Sequence, residues 1–144
     1  MKLAVVYARA DGRIYVRPEN VMAGGAHKEG SPVVRLSESA SDDDIGSALS
    51  RALEQSHAID ESLYGEFPPD TELFALAGVK SWRAFDRGTR CVGIVLMDQR
   101  VTIRPFLKLG WGRQSTEDLW LSEDLTSDAR LGALVRAGLD RATS

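Results

Sequence analysis

The protein has 144 residues, a length typical of a single domain. Apolar residues make up 43% of the chain and charged residues 27%, which excludes a disordered chain and is typical of a globular protein. The net charge is −3, and the longest apolar runs, 3–8 and 93–97, are much shorter than the roughly 20 residues of a membrane-spanning helix. The N-terminal run also lacks the pattern of a secretory signal, so we expect the protein to act in the cytoplasm.

The first half of the chain predicts a β-hairpin followed by a third strand. Residues 3–9 and 13–17 are rich in Val, Ile and Tyr, and the intervening Ala10-Asp11-Gly12 contains the Asp-Gly pair of a tight turn. Residues 33–36 predict a short third strand. The glycine-rich stretch 21–30 has neither a strand nor a helix pattern and predicts a mobile loop.

A helix is predicted to follow the third strand. Ser41 is a good N-cap, and three aspartates follow it in the first turn, where the helix dipole favours negative charge. The apolar residues after them have the spacing of a helix that packs on a sheet, at positions 45, 48, 49, 52 and 53.

The second half of the chain predicts the same order of elements. Residues 92–97 and 101–107 form a hairpin around Asp98-Gln99, residues 118–121 form a short strand, and residues 127–141 form a helix with the same apolar stripe. Each half therefore reads as a hairpin, another strand and a helix.

The segment 57–89 joins the two halves. It predicts a short helix over 70–77, and Trp82 and Phe85 are expected in the core beside it. Cys91 has no second cysteine to pair with and lies in an apolar run, which predicts a buried small hydrophobic residue.

The two halves also align with each other. Asp11-Gly12-Arg13-Ile14-Tyr15-Val16-Arg17-Pro18 matches Asp98-Gln99-Arg100-Val101-Thr102-Ile103-Arg104-Pro105 at an offset of 87 residues, and the two helices match at 86. We therefore predict one α+β domain over 1–144, an antiparallel sheet built from two similar halves, about 1–56 and 90–144, with helices packed on the sheet. A chance resemblance between common hairpins and amphipathic helices stays open as the alternative.

Charge is distributed unevenly along the chain. Residues 37–72 contain ten acids and one base, whereas residues 80–113 contain eight bases and two acids. One interpretation is that both segments are solvated faces that serve solubility. The other is that the acidic segment binds a basic partner, which would make association fast and sensitive to salt.

The sequence contains no convincing catalytic or metal-binding pattern. His27, His57 and Cys91 lack the spacing of a zinc site, and the three consecutive aspartates from Asp42 point in different directions on a helix. Neither a phosphate-binding loop nor a nucleophile elbow occurs. We expect no enzyme, no cofactor, no metal site and no small-molecule substrate.

The basic segment suggests an alternative function. Residues 80–113 interleave bases with aromatic residues, a combination found in modules that bind single-stranded nucleic acid; the aromatics are Trp82, Phe85, Phe106 and Trp111. The acidity of the whole chain opposes this function, because binding of phosphates depends on positive charge.

Three motifs follow one another in a particular order and spacing: Ile45-Gly46-x-Ala48-Leu49-x-x-Ala52-Leu53-x-x-Ser56, Ala77-Gly78-Val79-Lys80-Ser81-Trp82-x-x-Phe85 and Ile103-x-Pro105. In these motifs the chain resembles the contact-dependent growth inhibition immunity protein family, CdiI. The resemblance implies a small cytoplasmic protein that binds one toxin domain, delivered by a neighbouring cell, and blocks it without catalysis. The toxins of such systems are frequently nucleases.

We accordingly predict an immunity protein that forms a 1:1 complex with a cognate toxin domain and blocks its active or substrate site. A nuclease presents a basic groove, so an acidic surface is the expected contact. Tyr64 is included because an amphipathic ring can anchor a polar interface, although a half-buried structural tyrosine is an equal alternative. The predicted toxin-binding residues are Asp42, Asp43, Asp44, Asp60, Glu61, Tyr64, Glu66, Asp70 and Glu72.

Overall fold

The chain folds into a mixed structure of strands and helices, described by a computed structural model over residues 1–60, 71–110 and 112–144. A short 3-10 helix spans Glu117–Leu119. The other elements are, in chain order, β1 (Lys2–Ala8), β2 (Ile14–Met22), β3 (His27–Glu29), β4 (Val34–Leu36), α1 (Asp42–Gln55), β5 (Ala58–Ile59), α2 (Thr71–Ala77), α3 (Trp82–Asp86), β6 (Arg90–Met97), β7 (Arg100–Pro105), β8 (Leu107–Leu109), β9 (Gly112–Gln114), β10 (Leu121–Asp124) and α4 (Asp128–Arg141).

One large sheet organises the described residues. Its strands lie in the order β10-β7-β6-β1-β2-β3, and β4 and β5 also pair with β2. The pairings are antiparallel apart from the parallel pair of β2 and β5. Strands β8 and β9 form a separate two-stranded ribbon. The predicted α+β class with an antiparallel sheet is therefore confirmed.

The central strand β1 is buried on both faces of the sheet, which explains its uninterrupted apolar sequence. Ala4 and Val6 belong to the main core, which α1 and α4 cover. Val5 and Tyr7 point to the opposite face and join a second apolar cluster that includes residues of α2 and α3. The sheet thus lies between two unequal layers of helices.

Helices α1 and α4 begin where the sequence predicts. The Ser41 hydroxyl accepts a hydrogen bond from the Asp44 amide at 3.1 Å, and the Asp44 carboxylate accepts one from the Ser41 amide at 3.0 Å. At α4 only the first of these bonds is present: the Ser127 hydroxyl accepts a hydrogen bond from the Arg130 amide at 3.1 Å. The apolar stripe of α1 is buried as expected, at Ile45, Ala48, Leu49, Ala52 and Leu53.

Each half of the chain contributes one central hairpin and one helix of the main core. β1 and β2 come from the first half, β6 and β7 come from the second, and β1 pairs with β6 at the centre of the sheet. Helices α1 and α4 pack closely against each other. The division into repeated halves by duplication stays a prediction.

The mobile loop predicted over 21–30 is wrong. Strand β2 continues to Met22, and β3 pairs with it so that Glu29 lies opposite Glu19. Gly25 adopts a φ of 88° in the turn between them, a conformation that glycine accepts readily. Strand β3 is short and polar, and main-chain hydrogen bonds hold it at the edge of the sheet. Because it needs no apolar residues, its sequence lacks the pattern from which strands are predicted.

Two strand boundaries in the second half also differ from the expectation. The strand predicted over 101–107 is divided in the structure: β7 ends at Pro105, the Phe106 amide still donates to the Cys91 carbonyl of β6 at 3.0 Å, and β8 begins at Leu107. The strand predicted over 118–121 begins only at Leu121, since residues 117–119 form a 3-10 turn with hydrogen bonds of their own.

The aromatic residues of α3 have different surroundings. Phe85 is fully buried, which confirms its place in the core, and Cys91 is buried as predicted. Trp82 was expected in the core as well, but 37% of it is exposed. Both rings contact Tyr7 of β1, Trp82 at 6.2 Å and Phe85 at 5.1 Å between ring centroids, but Trp82 lies at the margin of the second cluster and Phe85 within it.

Candidate functional site

A wide cleft opens on the face of the sheet opposite α1 and α4, beside α3. Its volume is about 890 Å³. Tyr7 and Cys91, neighbours on β1 and β6, form its floor. One wall is α3 and the other is the β8–β9 ribbon, and the described residues of these walls are Trp82, Arg83, Asp86, Lys108, Gly110, Gly112 and Arg113.

Aromatic packing fixes the α3 wall of the cleft. The Trp82 ring packs edge-on against Phe74 of α2, with 5.4 Å between ring centroids, and against Phe85 at 5.7 Å. Phe85 in turn contacts Tyr7 of the floor edge-on at 5.1 Å. These contacts hold the indole in place while leaving part of it exposed to the cleft, as in many protein-binding surfaces.

Asp86 joins the two walls of the cleft. The guanidinium of Arg113 donates to its carboxylate through Nε at 3.0 Å and also through an Nη group, and the Lys108 ammonium lies 3.3 Å from the other carboxylate oxygen. Arg113 also donates to the carbonyl of Thr89 at 2.6 Å. Bonds to an ionised group are the stronger kind, so Asp86 fastens the ribbon to α3.

The C-terminal residues support the ribbon from its other side. The Thr143 amide donates to the carbonyl of Phe106 at 3.1 Å, and the Lys108 amide donates to the Thr143 hydroxyl at 2.8 Å. Arg113 donates to the Thr143 carbonyl at 3.2 Å. Asp86 and Thr143 both bind Lys108 and Arg113, which face each other across the ribbon. The ribbon is therefore anchored at this pair, and the shape of the cleft is largely preformed.

The two side chains on the floor of the cleft carry no charge at neutral pH. Burial raises the pKa of the Cys91 thiol to about 12, so that the reactive thiolate is scarce at neutral pH. Burial also raises the pKa of the Tyr7 hydroxyl. Both groups remain neutral at physiological pH and offer a packing surface.

The aspartates at the start of α1 have different roles in the structure. Asp42 is half-exposed and accepts a hydrogen bond from Arg136 Nε at 2.6 Å. Asp44 belongs to the capping box, and the hydrogen bonds with Ser41 lower its pKa. Asp43 is exposed and has no hydrogen bond or ion pair in the described part of the chain.

The remaining predicted toxin-binding residues lie apart from these aspartates. Glu72, on α2 on the other face of the sheet, accepts a hydrogen bond from the Val33 amide and one from the Ser31 hydroxyl at 3.3 Å. Asp60 is exposed and follows β5. Four residues of the set lie outside the described residues: Glu61, Tyr64, Glu66 and Asp70. The described members thus do not form one continuous patch.

Many bases of the segment 80–113 are engaged within the protein. Arg100 lies 3.2 Å from the Asp124 carboxylate, Arg90 donates to the Leu139 carbonyl at 2.9 Å, and the Arg104 guanidinium stacks on the ring of Trp120 at 4.4 Å. Trp111, one of the aromatics of the nucleic-acid hypothesis, lies outside the described residues.

The sequence did not predict the cleft, although it contained a partial signal for it. The sequence predicts Trp82 as a core residue and places the bases at 83, 108 and 113 in the basic segment 80–113. Their convergence depends on the ribbon folding back toward α3, and that contact joins residues more than 20 positions apart.

The described residues contain no group of three or more His, Cys, Asp or Glu side chains that could hold a metal ion. Within the same part of the chain, every helix is too short or too polar to cross a bilayer.

A comparison with protein families decides the identity of the chain. The family model described as CdiI, CDI immunity protein, matches residues 14–142. The chain belongs to the CDI immunity protein family. The match begins at the start of β2 and includes α1, the hairpin of β6 and β7, and α4. It confirms the family that the three sequence motifs resemble.

Two solved structures share the fold of this CDI immunity protein. A protein of unknown function from Neisseria meningitidis, NMB0488, superposes with a TM-score of 0.82 at 16% identity, covering 99% of this chain and 95% of the other. A chain of the CdiA-CT/CdiI toxin and immunity complex from Yersinia pseudotuberculosis superposes with a TM-score of 0.77 at 21% identity, covering 99% and 97%. No curated protein matched the sequence.

Proposed function

We propose that this protein binds one cognate contact-dependent growth inhibition toxin domain in the cytoplasm and neutralises it by stoichiometric blocking of its active or substrate site, without catalysing a reaction. Membership of the CDI immunity protein family supports the proposal. The toxin is proposed to be a nuclease, because the acidic segment over 37–72 suits a partner with a basic substrate groove.

The observation that carries the proposal within this chain is the preformed cleft. It is concave, it exposes an immobilised tryptophan, and its walls are joined by Asp86 and supported by Thr143. A preformed concave surface with an aromatic residue in its wall loses little conformational entropy when a protein segment enters it. We therefore propose that the toxin contacts this cleft.

The predicted acidic residues are proposed as further toxin contacts, and the described ones lie at separate places on the protein. Asp43 is the best probe of these contacts, since it is exposed and has no bond in the described part of the chain that a substitution would break. Carboxylates at such positions would attract a basic toxin from a distance and thereby raise its association rate.

Co-expression tests the proposed function. The cognate toxin domain, which we propose is encoded immediately upstream of this protein, is induced in cells with and without the protein, and survival is recorded. The same two proteins are then mixed and sized in solution. We expect full protection and a 1:1 complex. Equal killing in both strains would overturn the immunity function, and a complex of another ratio would overturn the stoichiometry.

A further inference from the structure

The net charge of the described cleft lining is opposite in sign to the net charge of the whole protein. Its described lining contains three cationic side chains, Arg83, Lys108 and Arg113, and one carboxylate, Asp86. The protein as a whole has a net charge of −3. A concave, partly apolar surface concentrates the field of its charges, so this local excess influences what enters the cleft.

The two cations nearest to solvent retain capacity to bind an acceptor. Arg113 is occupied, because its guanidinium serves Asp86 and two backbone carbonyls and only 16% of its side chain is exposed. Lys108 has three donors and one carboxylate contact, with 33% of its side chain exposed. Arg83 is exposed and makes no hydrogen bond or ion pair in the described part of the chain.

A partner that covered the cleft with apolar groups alone would bury these cations without acceptors. Such desolvation is costly, whereas carboxylates aligned with both side chains would compensate for it. Trp82 lies on the α3 wall next to Arg83 in the sequence, so it offers an apolar contact on the same wall as that cation.

We infer that the cleft accepts an acidic segment of the toxin, whose carboxylates bind Arg83 and Lys108 while a neighbouring apolar side chain packs on Trp82. This inference deepens the proposed function and depends on it. The protein then combines a net negative charge with a cationic cleft, so that its specificity depends on a toxin with a matching acidic segment within a basic domain.

Charge reversal in the cleft tests the inference. Arg83→Glu and Lys108→Glu are compared with Arg87→Glu, a matched control at the exposed C-cap of the same helix, outside the cleft lining. Affinity for the cognate toxin domain is measured by titration calorimetry at low and physiological salt. We expect each cleft variant to weaken binding by about 10- to 100-fold and the control to remain within about twofold of the parent protein.

Folding and charge specificity are checked in the same experiment. The thermal unfolding midpoint of each variant identifies any general loss of structure, and Arg83→Gln and Lys108→Gln remove the charge without reversing it. If carboxylates are the ligands, these variants should lose less affinity than the charge reversals. An acidic residue of the toxin changed to lysine should restore binding to Arg83→Glu and weaken binding to the parent protein.

The possible results separate the inference from the proposed function. If the parent protein neither binds nor neutralises the toxin, the proposed function fails. If it does both, and the charge reversals bind as tightly as the control, the acidic-segment inference fails while the immunity function stands. A labelled single-stranded oligonucleotide that binds the parent protein and not Arg83→Glu would also overturn the inference, since the cleft would then be a phosphate site.

Discussion

Gly46 of α1 and Gly132 of α4 occupy reciprocal positions where the two helices cross. A Cβ atom on Gly46 would lie 1.7 Å from the carbonyl oxygen of Asp128, and one on Gly132 would lie 1.9 Å from that of Asp42. Each glycine therefore faces the first residue of the opposite helix. The helices approach so closely because both positions lack a side chain.

The substitution Gly46→Ala should lower the free energy of unfolding by at least about 2 kcal/mol, because the backbones of the two helices would have to separate. Chemical denaturation measures the loss. Gly112→Ala is the control, since a Cβ atom there meets open space and the change should be within about 0.5 kcal/mol. A Gly46→Ala protein as stable as the parent would contradict the close crossing.

The same crossing brings two further pairs together. Arg136 of α4 donates to the Asp42 carboxylate at 2.6 Å, and Ser50 of α1 donates to the Asp128 carboxylate at 2.8 Å. Asp42 corresponds to Asp128, and Ser50 corresponds to Arg136, at the offset of 86 residues that relates the two helices. They indicate that Asp42 stabilises the helix pair, which separates it from its exposed neighbour Asp43.

The acidic surface is therefore best tested by comparing Asp43→Lys with Asp42→Lys. We expect Asp43→Lys to retain its stability and to slow association with the toxin at low salt, with the difference shrinking as salt screens the charges. Asp42→Lys should in addition lower the unfolding free energy by about 1 kcal/mol or more. Stopped-flow kinetics of Asp43→Lys that match the parent at low salt would place the contact elsewhere.

Glu19 provides a pH-dependent test of the edge hairpin. Burial, together with Glu29 on the facing strand, raises its pKa from 4.5 to about 7, although Arg17 opposes the shift. The folded protein thus holds this proton more tightly than the unfolded chain, and stability present below about pH 4.5 is lost as the pH rises through 7. Glu19→Gln should flatten this loss, as urea unfolding at pH 5 and pH 8 would reveal. If the stability of the parent protein and of Glu19→Gln changed equally with pH, Glu19 would not be the cause of the loss.

Asp86 is predicted to be a positioning residue for the ribbon. Asp86→Asn should lower the unfolding free energy by about 1 to 3 kcal/mol and speed hydrogen exchange in β8 and β9, because Arg113 loses its carboxylate. Asp140→Asn is the control: its carboxylate is 81% exposed and lies 3.7 Å from Arg90, so its effect should be within about 0.5 kcal/mol. Unchanged exchange in the ribbon would contradict the fastening role of Asp86.

Binding of single-stranded nucleic acid remains the rival function, and it has its own test. Because bases such as Arg90 and Arg100 are bonded within the protein, we expect the free protein to show no retention of a fluorescent single-stranded oligonucleotide at low ionic strength. The fluorescence anisotropy of the oligonucleotide measures this binding. Salt-dependent binding in the micromolar range would favour the rival function.

Local sequence patterns were sufficient for the central hairpins and the two long helices. Ser41 and Ser127 cap their own helices, and the apolar stripe of α1 repeats with a helical period, so these features depend on residues within a few positions of one another. The same patterns carried the family resemblance. The sequence does not predict strand β3, because an edge strand that is held by main-chain hydrogen bonds needs no apolar pattern.

The cleft was decided by tertiary structure. Trp82 is exposed and not in the core because α3 lies at the margin of the second cluster, and Arg113 faces α3 because Asp86 and Thr143 hold the ribbon there. Likewise, Asp42 and Asp43 are adjacent in the sequence, but only Asp42 meets an arginine 94 positions away. Periodicity reports which side of an element is apolar, whereas the partner of a polar side chain depends on contacts between distant parts of the chain.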